Sequence, residues 1–308
     1  MKAAICTGYG PPEVLQVRNV PDPRPRRNEV CIRLYATSVT ASDCIVRGLK
    51  LRGRYRLFMR IAFGWRAPRK QIIGMIASGR IESVGRDVKS FQEGDEVFGM
   101  DGFRAGCYAE KVCWPATADL AARPANLTFE EAAALPYGGL LASYFLRRLN
   151  VGSGQKVLVY GASGAIGTSA VQLARHLGAE VTGVCSAANL ELVQSLGATT
   201  VIDYTKDDFT TGGEKYDVVF DAVGRRKSTQ AMANSAAVLA PGGVSMSVDD
   251  SFPRSKRSDL VRLKELAESG DLRPVIDRRY PLDEIAEAHR YVDQGHKKGN
   301  VIVTLPAP

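Results

Sequence analysis

The stretch QKVLVYGASGAIGTSAVQLARHL, residues 155–177, decides the fold of this chain. Its apolar run Val157–Val159 is typical of a strand buried on both faces of a parallel sheet. A glycine-rich turn follows, and after it the apolar residues recur at helical spacing until Gly178, which predicts a helix that ends there. A strand, a tight turn and a helix in this order predict the first unit of a doubly wound α/β domain.

The turn within this stretch has the pattern of a dinucleotide-binding fingerprint. From Ala162 to Gly167 it matches AxGxxG, with alanine in the first position. Backbone N–H groups and the positive end of the helix dipole converge at such a turn, and this favours a pyrophosphate. We therefore expect the cofactor to contact Gly161, Ala162, Ser163, Gly164, Ala165, Ile166 and Gly167.

Length and composition are those of a globular protein of two domains. The chain has 308 residues and no apolar run long enough to cross a membrane. Its first ten residues contain no hydrophobic signal segment, which predicts a cytoplasmic protein. Six scattered cysteines without a CxxC motif indicate free thiols in a reducing compartment.

The basic excess of the chain is concentrated in one segment. Nine Lys and Arg residues and no acidic residue lie between Arg47 and Lys70, interleaved with aromatic side chains, while the rest of the chain is almost neutral. The segment could face an anionic cofactor or substrate, or a membrane surface. It could also be a solvated segment whose aromatic rings pack on the domain. No nucleic-acid recognition motif accompanies it, so we expect no nucleic-acid partner.

The order of predicted elements divides the chain into two kinds of structure. The first 120 residues contain short strands separated by Pro and Gly turns, which predicts a small, partly open barrel. After residue 155, strands and helices alternate, which predicts a parallel sheet with its ligand at the carboxyl ends of the strands. Val223 and Ser247 lie near the ends of two of these strands, and we expect both to contact the cofactor.

The second strand of this sheet bears on which dinucleotide binds. An NAD site usually carries Asp or Glu at the end of this strand, whereas here the strand is followed by Ser186 and Asn189. Tyr204 ends the third strand and can bring its hydroxyl group to the same rim. The missing carboxylate favours NADP(H), although the loop also lacks an Arg or Lys to neutralise a 2′-phosphate, a role that Lys206 could fill.

Several motifs in both halves resemble the medium-chain dehydrogenase/reductase superfamily, in its zinc-free quinone oxidoreductase (zeta-crystallin-like) branch. The resemblance implies a GroES-like partly open β-barrel catalytic domain, residues 1–122 and 275–308, and a Rossmann nucleotide-binding domain, residues 123–274. The matching segments are TSVTASD (37–43), IGMIASG (73–79), VGRDVKSFQEGDEVFG (84–99), AALPYGG (133–139), GASGAIG (161–167), SLGATTVIDY (195–204) and DVVFDAVG (217–224).

The resemblance also predicts that no metal ion takes part. The zinc-dependent branch has a cysteine at the position of Thr40 and a His-Glu pair at Met75 and Ile76, and none of these three side chains suits zinc. The implied activity is hydride transfer from NADPH to a quinone or an α,β-unsaturated carbonyl. Thr40 and Asp43 match the family's Asn-x-x-Asp stretch beside the nicotinamide, and Tyr55 is the candidate proton donor.

Two further expectations follow from the resemblance. A non-enzymatic NADP(H)-binding protein, such as a redox sensor or a crystallin-like protein, is the alternative to an enzyme. Relatives form dimers through an extra strand in the region of Asp249–Lys256, which is too short for it here and contains Pro253. We therefore expect a monomer, or a homodimer built on another surface.

Overall fold

The computed structural model describes residues 1–50, 53, 57, 60–61, 64–225, 228, 232, 234–251 and 256–306. The candidate proton donor Tyr55 lies outside these residues, as does most of the aromatic part of the basic segment. Among the described helices, none is both long and apolar enough to cross a membrane.

A barrel-like sheet is formed by strands from both ends of the chain. Its order is β13-β14-β3-β4-β5-β7, and β6 also pairs with β3. A separate two-stranded sheet joins β1 to β2. The strands are β1 (Lys2–Cys6), β2 (Leu15–Asn19), β3 (Glu29–Val39), β4 (Ile76–Val84), β5 (Glu96–Met100), β6 (Lys111–Pro115), β7 (Leu120–Ala122), β13 (Ile276–Pro281) and β14 (Asn300–Thr304).

The middle of the chain forms a five-stranded parallel sheet. Its order is β10-β9-β8-β11-β12, so the chain starts at the central strand and reverses direction between β8 and β11. In such sheets the ligand binds at the reversal, outside the carboxyl ends of the strands. The strands are β8 (Lys156–Tyr160), β9 (Glu180–Cys185), β10 (Thr200–Asp203), β11 (Tyr216–Asp221) and β12 (Leu239–Ser247).

Seven α-helices cover the two sheets within the described ranges. One large cluster of buried apolar side chains packs the helices against the parallel sheet, and a second fills the barrel. The helices are α1 (Ala41–Gly48), α2 (Phe129–Ala133), α3 (Pro136–Arg148), α4 (Ala165–His176), α5 (Leu190–Ser195), α6 (Arg257–Glu268) and α7 (Ile285–Gln294).

The GroES-like barrel and the Rossmann sheet predicted from the sequence are confirmed. In the barrel, β6 starts at Lys111, because Tyr108 and Ala109 pair with the β1 region. In the parallel sheet, β11 ends at Asp221, since the carboxylate of Asp221 accepts a hydrogen bond from the backbone N–H of Val223 and the chain bends there.

A buried ion pair holds α7 against α1. The side chain of Arg47 is fully buried, and its guanidinium lies 2.5 Å from a carboxylate oxygen of Asp293. Lys50 binds the other oxygen of Asp293 at 2.7 Å. A buried guanidinium without a partner lowers the stability of the fold, so the burial of Arg47 depends on Asp293.

We expect Asp293→Ala to lower the free energy of unfolding by about 3–5 kcal/mol, because it leaves the Arg47 guanidinium buried and unpaired. Urea denaturation followed by circular dichroism measures this change. Asp283→Ala is the matched control, since Asp283 forms an exposed pair with Lys2 and its loss costs about 0–1 kcal/mol. Equal stability of the two variants would contradict the prediction.

Candidate functional site

The glycine-rich turn after β8 brings two backbone segments into close approach. Gly161 has a φ of 77°, and a Cβ atom there would lie 2.2 Å from a methyl group of Val223. At Gly167 a Cβ atom would lie 2.1 Å from the carbonyl oxygen of Gly161. Both glycines are therefore required by packing within the protein, irrespective of any ligand.

Gly164 differs from these two glycines because a Cβ atom there would not overlap protein atoms, although its backbone pairs with that of Gly299. It precedes α4 as the N-cap residue with extended backbone, and no side chain caps this helix end. A Cβ atom at Gly164 would meet only the Gly161 carbonyl oxygen, at 3.5 Å. The first N–H groups of a helix have no partner within it, so this end of α4 can hold an anion close to the backbone. The turn thus fits the pyrophosphate of a dinucleotide.

The side chains of the predicted turn have different surroundings. Ala162, Ala165 and Ile166 are buried, so their side chains support the turn and only their backbone could face a ligand. Ser163 remains available at the edge, where its hydroxyl oxygen accepts a hydrogen bond from the Asn189 amide at 3.3 Å.

Ser186 and Asn189, two of the predicted cofactor residues, lie next to each other after the end of β9. The Asn189 amide also donates to the Ser186 hydroxyl at 3.0 Å, and Asn189 is only 8% exposed. The side-chain carbonyl oxygen of Asn189, Oδ1, is buried without a hydrogen-bond partner. A buried acceptor of this kind is satisfied by a hydroxyl group of a ligand, so this rim fits the ribose of a dinucleotide.

A carboxylate that the sequence analysis did not identify lies beside this rim. Asp203, the last residue of β10, pairs in register with Cys185 at the end of β9. One oxygen accepts hydrogen bonds from the backbone and the hydroxyl of Thr205, which lower the pKa of Asp203. The other oxygen is buried without a partner. Asp203 is therefore an ionised group next to the predicted 2′-phosphate position.

The remaining predicted cofactor residues lie at neighbouring strand ends. Tyr204 is 41% exposed, and its backbone N–H donates to the Cys185 carbonyl, which places it on the rim. Val223 covers Gly161. Ser247 is buried and donates its hydroxyl to Asp221 at 2.8 Å, so its side chain already has a protein partner.

Thr40 and Asp43 form a capping box at the start of α1. The Asp43 carboxylate accepts from the backbone N–H of Thr40 at 2.9 Å and from its hydroxyl at 2.7 Å. Burial raises the pKa of Asp43 to about 6. These contacts explain both residues as supports of α1, and their catalytic role stays a prediction.

Two contacts that the sequence did not indicate connect the turn with α3, α1 and the residue before β14. Ser42 and Tyr137 share a hydrogen bond of 3.1 Å, and the next residue, Gly138, packs on the carbonyl of Ala165 at the start of α4. The backbone N–H of Gly299 donates to the carbonyl of Ser163 at 2.8 Å. Both contacts join residues far apart in sequence, so no local pattern could reveal them.

The buried histidine of the barrel contacts a tyrosine, Tyr108, that also hydrogen-bonds Asp43. His289 is fully buried in α7, and its ring lies 3.2 Å from the hydroxyl of Tyr108 and 3.4 Å from the thiol of Cys44. Burial lowers the pKa of His289 to about 3, so the ring is neutral. Across the described part of the chain, no group of three or more His, Cys, Asp or Glu side chains could hold a metal ion.

We expect Gly164→Val to abolish dinucleotide binding while the protein stays folded, because the side chain would fill the space for the pyrophosphate and its Cβ atom would contact only the Gly161 carbonyl oxygen, at 3.5 Å. Calorimetry with NADPH and far-UV circular dichroism measure the two effects. Gly167→Val is the matched comparison and should destabilise the fold, since its Cβ atom would overlap the Gly161 carbonyl. Unchanged NADPH affinity of a folded Gly164→Val variant would show that the turn is only structural.

We expect NADPH to bind more tightly than NADH by about 1–2 kcal/mol, because hydrogen bonds to the 2′-phosphate, worth about 1.5–3 kcal/mol each, are partly offset by repulsion from Asp203. Ser186→Asp should reverse this preference by placing a carboxylate at the end of β9. Asp203→Asn should increase it, because a charge near the 2′-phosphate is removed. Calorimetric titration of each variant with both cofactors gives the ratios. Equal affinity of the unmutated protein for NADH and NADPH would refute the prediction.

Comparisons with known proteins agree with this geometry. Residues 26–144 match the family model described as alcohol dehydrogenase GroES-like domain, and residues 165–267 match one described as zinc-binding dehydrogenase. The chain is 32% identical to 2-methylene-furan-3-one reductase of Solanum lycopersicum, over 98% of this chain and 79% of the relative. It is 31% identical to the chloroplastic NADPH-dependent alkenal/one oxidoreductase of Arabidopsis thaliana, over 100% of this chain and 80% of that protein.

The fold has a similar counterpart among solved structures. The quinone oxidoreductase from Coxiella burnetii superposes with a TM-score of 0.87 at 28% sequence identity, and 99% of each chain is covered. These similarities extend over both the barrel and the parallel sheet, and they confirm the family predicted from the sequence motifs. The chain therefore belongs to the medium-chain dehydrogenase/reductase superfamily, in its zinc-free quinone oxidoreductase branch.

Proposed function

We propose that this protein is an NADPH-dependent oxidoreductase that reduces a quinone or an α,β-unsaturated carbonyl without a metal ion. The observation that carries the proposal is the room beside Gly164 at the start of α4, a helix end that no side chain caps. The relatives, an alkenal/one oxidoreductase and a 2-methylene-furan-3-one reductase, support this class of acceptor.

The residues of the site would position the cofactor. The backbone at Gly164 and the first turn of α4 would hold the pyrophosphate, and Ser163, Ser186 and Asn189 would bind the adenosine ribose. NADPH, when bound, supplies the hydride. Ser42 and Tyr137 lie where α3 meets the start of α4, and they would form part of the wall on the substrate side.

An electron-poor acceptor suits a site with these side chains. A quinone or an enone takes up hydride without a Lewis acid, and solvent can protonate the resulting oxyanion or enolate. At the positions where the zinc-dependent branch has ligands, this chain has Thr40, Met75 and Ile76. The proposal has three further parts. Tyr55 donates the proton, and the protein is located in the cytoplasm. The chain divides into a catalytic domain, 1–122 with 275–308, and a nucleotide-binding domain, 123–274.

We expect steady oxidation of NADPH when the purified protein receives an acceptor from a panel of ortho-quinones, enals and enoyl thioesters. Loss of absorbance at the nicotinamide band measures turnover, and liquid chromatography identifies the product. Gly164→Val is the control, because it removes the cofactor site without disturbing the fold. A stoichiometric NADPH complex with no turnover across the panel would favour the non-enzymatic alternative.

We propose that the protein is a monomer, or a homodimer that does not extend the parallel sheet. Within the described residues the sheet ends at β12, and only a short connection separates β12 from α6. The mass of one chain, 33.3 kDa, in light scattering at assay concentration would agree with this proposal. A crystal structure with strands paired continuously between two nucleotide-binding domains would contradict this proposal.

A further inference from the structure

Two cysteines lie directly opposite each other in the barrel sheet. Cys31 in β3 pairs with Cys113 in the antiparallel strand β6. Both thiols are free, and the thiol of Cys113 hydrogen-bonds the sulfur of Cys31. The two residues are 82 positions apart in the sequence, so their proximity results from the sheet register alone.

The hydrogen-bond pattern of the two strands shows which kind of pair this is. The backbone N–H of Leu34 donates to Glu110, and that of Ala116 donates to Asn28. These bonds alternate along an antiparallel ladder, so Cys31 and Cys113 occupy a non-hydrogen-bonded position. Such positions bring Cα atoms to about 4.5 Å and bring the side chains closer than at hydrogen-bonded positions. This separation lies within the range of about 4.4–6.8 Å that a disulfide spans.

The pair lies on the face of the sheet opposite the barrel core. The neighbours Val30, Ile32 and Trp114 point into the core, so Cys31 and Cys113 point away from it. Cys31 is 2% exposed, whereas Cys113 is partly exposed and offers access from solvent. An oxidant can therefore reach the pair without opening the barrel.

Charged groups on the same face affect the two thiols. Lys111 stabilises the thiolate form of Cys31, whereas Glu82 opposes it. The largest effect is the hydrogen bond from Cys113, and together these contacts lower the pKa of Cys31 and raise that of Cys113. The Cys31 thiol is thus the better nucleophile, and the Cys113 thiol keeps its proton.

We propose that Cys31 and Cys113 are a redox-active pair that forms a reversible intrachain disulfide when the protein meets a peroxide. One thiolate attacks a peroxide oxygen, which gives a sulfenic acid and releases the other oxygen as water or an alcohol. The second thiol then attacks that sulfur, the S–S bond forms and a water leaves. Two electrons and two protons pass from the thiols to the peroxide, and a thiol reductant reverses the reaction.

The test treats the full-length protein with hydrogen peroxide and maps its peptides by mass spectrometry without reduction. We expect a peptide that links Cys31 to Cys113, and a loss of two of the six thiols of the denatured protein. Dithiothreitol should restore both thiols. Sulfinic acid at Cys31 or Cys113 without a link, or a link between two chains on a non-reducing gel, would overturn the proposal.

Variants separate the pair from the other thiols. Cys113→Ser and Cys31→Val should each abolish the linked peptide, and the valine suits a buried strand position if serine at Cys31 impairs folding. Cys6→Ser is the matched control, because Cys6 is buried in β1 apart from the pair, and it should leave the link intact. A thiol loss of two that persists in Cys113→Ser would assign the oxidation to other cysteines.

Discussion

The contact between Gly167 and the carbonyl of Gly161 fixes the position of α4 relative to β8, and the site depends on it. A side chain at Gly167 would push the helix away from the strand, and a side chain at Gly161 would overlap Val223. With both absent, the helix begins directly above the end of the central strand, and its free N–H groups face the reversal of the sheet. The space at Gly164 is a consequence of this packing.

The same turn receives contacts from residues that belong to the barrel sheet or lie next to it. Gly299, just before β14, donates to Ser163, while α3 packs on Ala165 through Gly138. β14 pairs with β3, so the end of the chain returns to the barrel immediately after touching the turn. The turn therefore cannot shift without disturbing contacts with the barrel as well as contacts within the parallel sheet. Both sheets restrain its position.

Local features of the fold and site could be predicted from the sequence, whereas contacts across strands could not. The turn 161–167 is a continuous motif whose strand and helix lie beside it, so its role follows from short-range patterns. Asp203, Tyr137 and Gly299 reach the site only through strand register and helix packing. The pairing of Cys31 with Cys113 has the same origin, because a shift of one residue would place the two thiols on opposite faces.

The residues at the end of β9 that would distinguish NADPH from NADH are neutral. Ser186 and Asn189 donate or accept hydrogen bonds but carry no charge. The nearby carboxylate of Asp203 would repel the negative charge of a 2′-phosphate. Hydrogen bonds to a phosphate are worth about 1.5–3 kcal/mol each, whereas two unit charges near a protein surface interact by a few kcal/mol at short range. The two effects are of similar size and opposite sign. We therefore expect only a small difference between the affinities for NADPH and NADH, and its size depends on how far Thr205 holds the Asp203 carboxylate away from the rim.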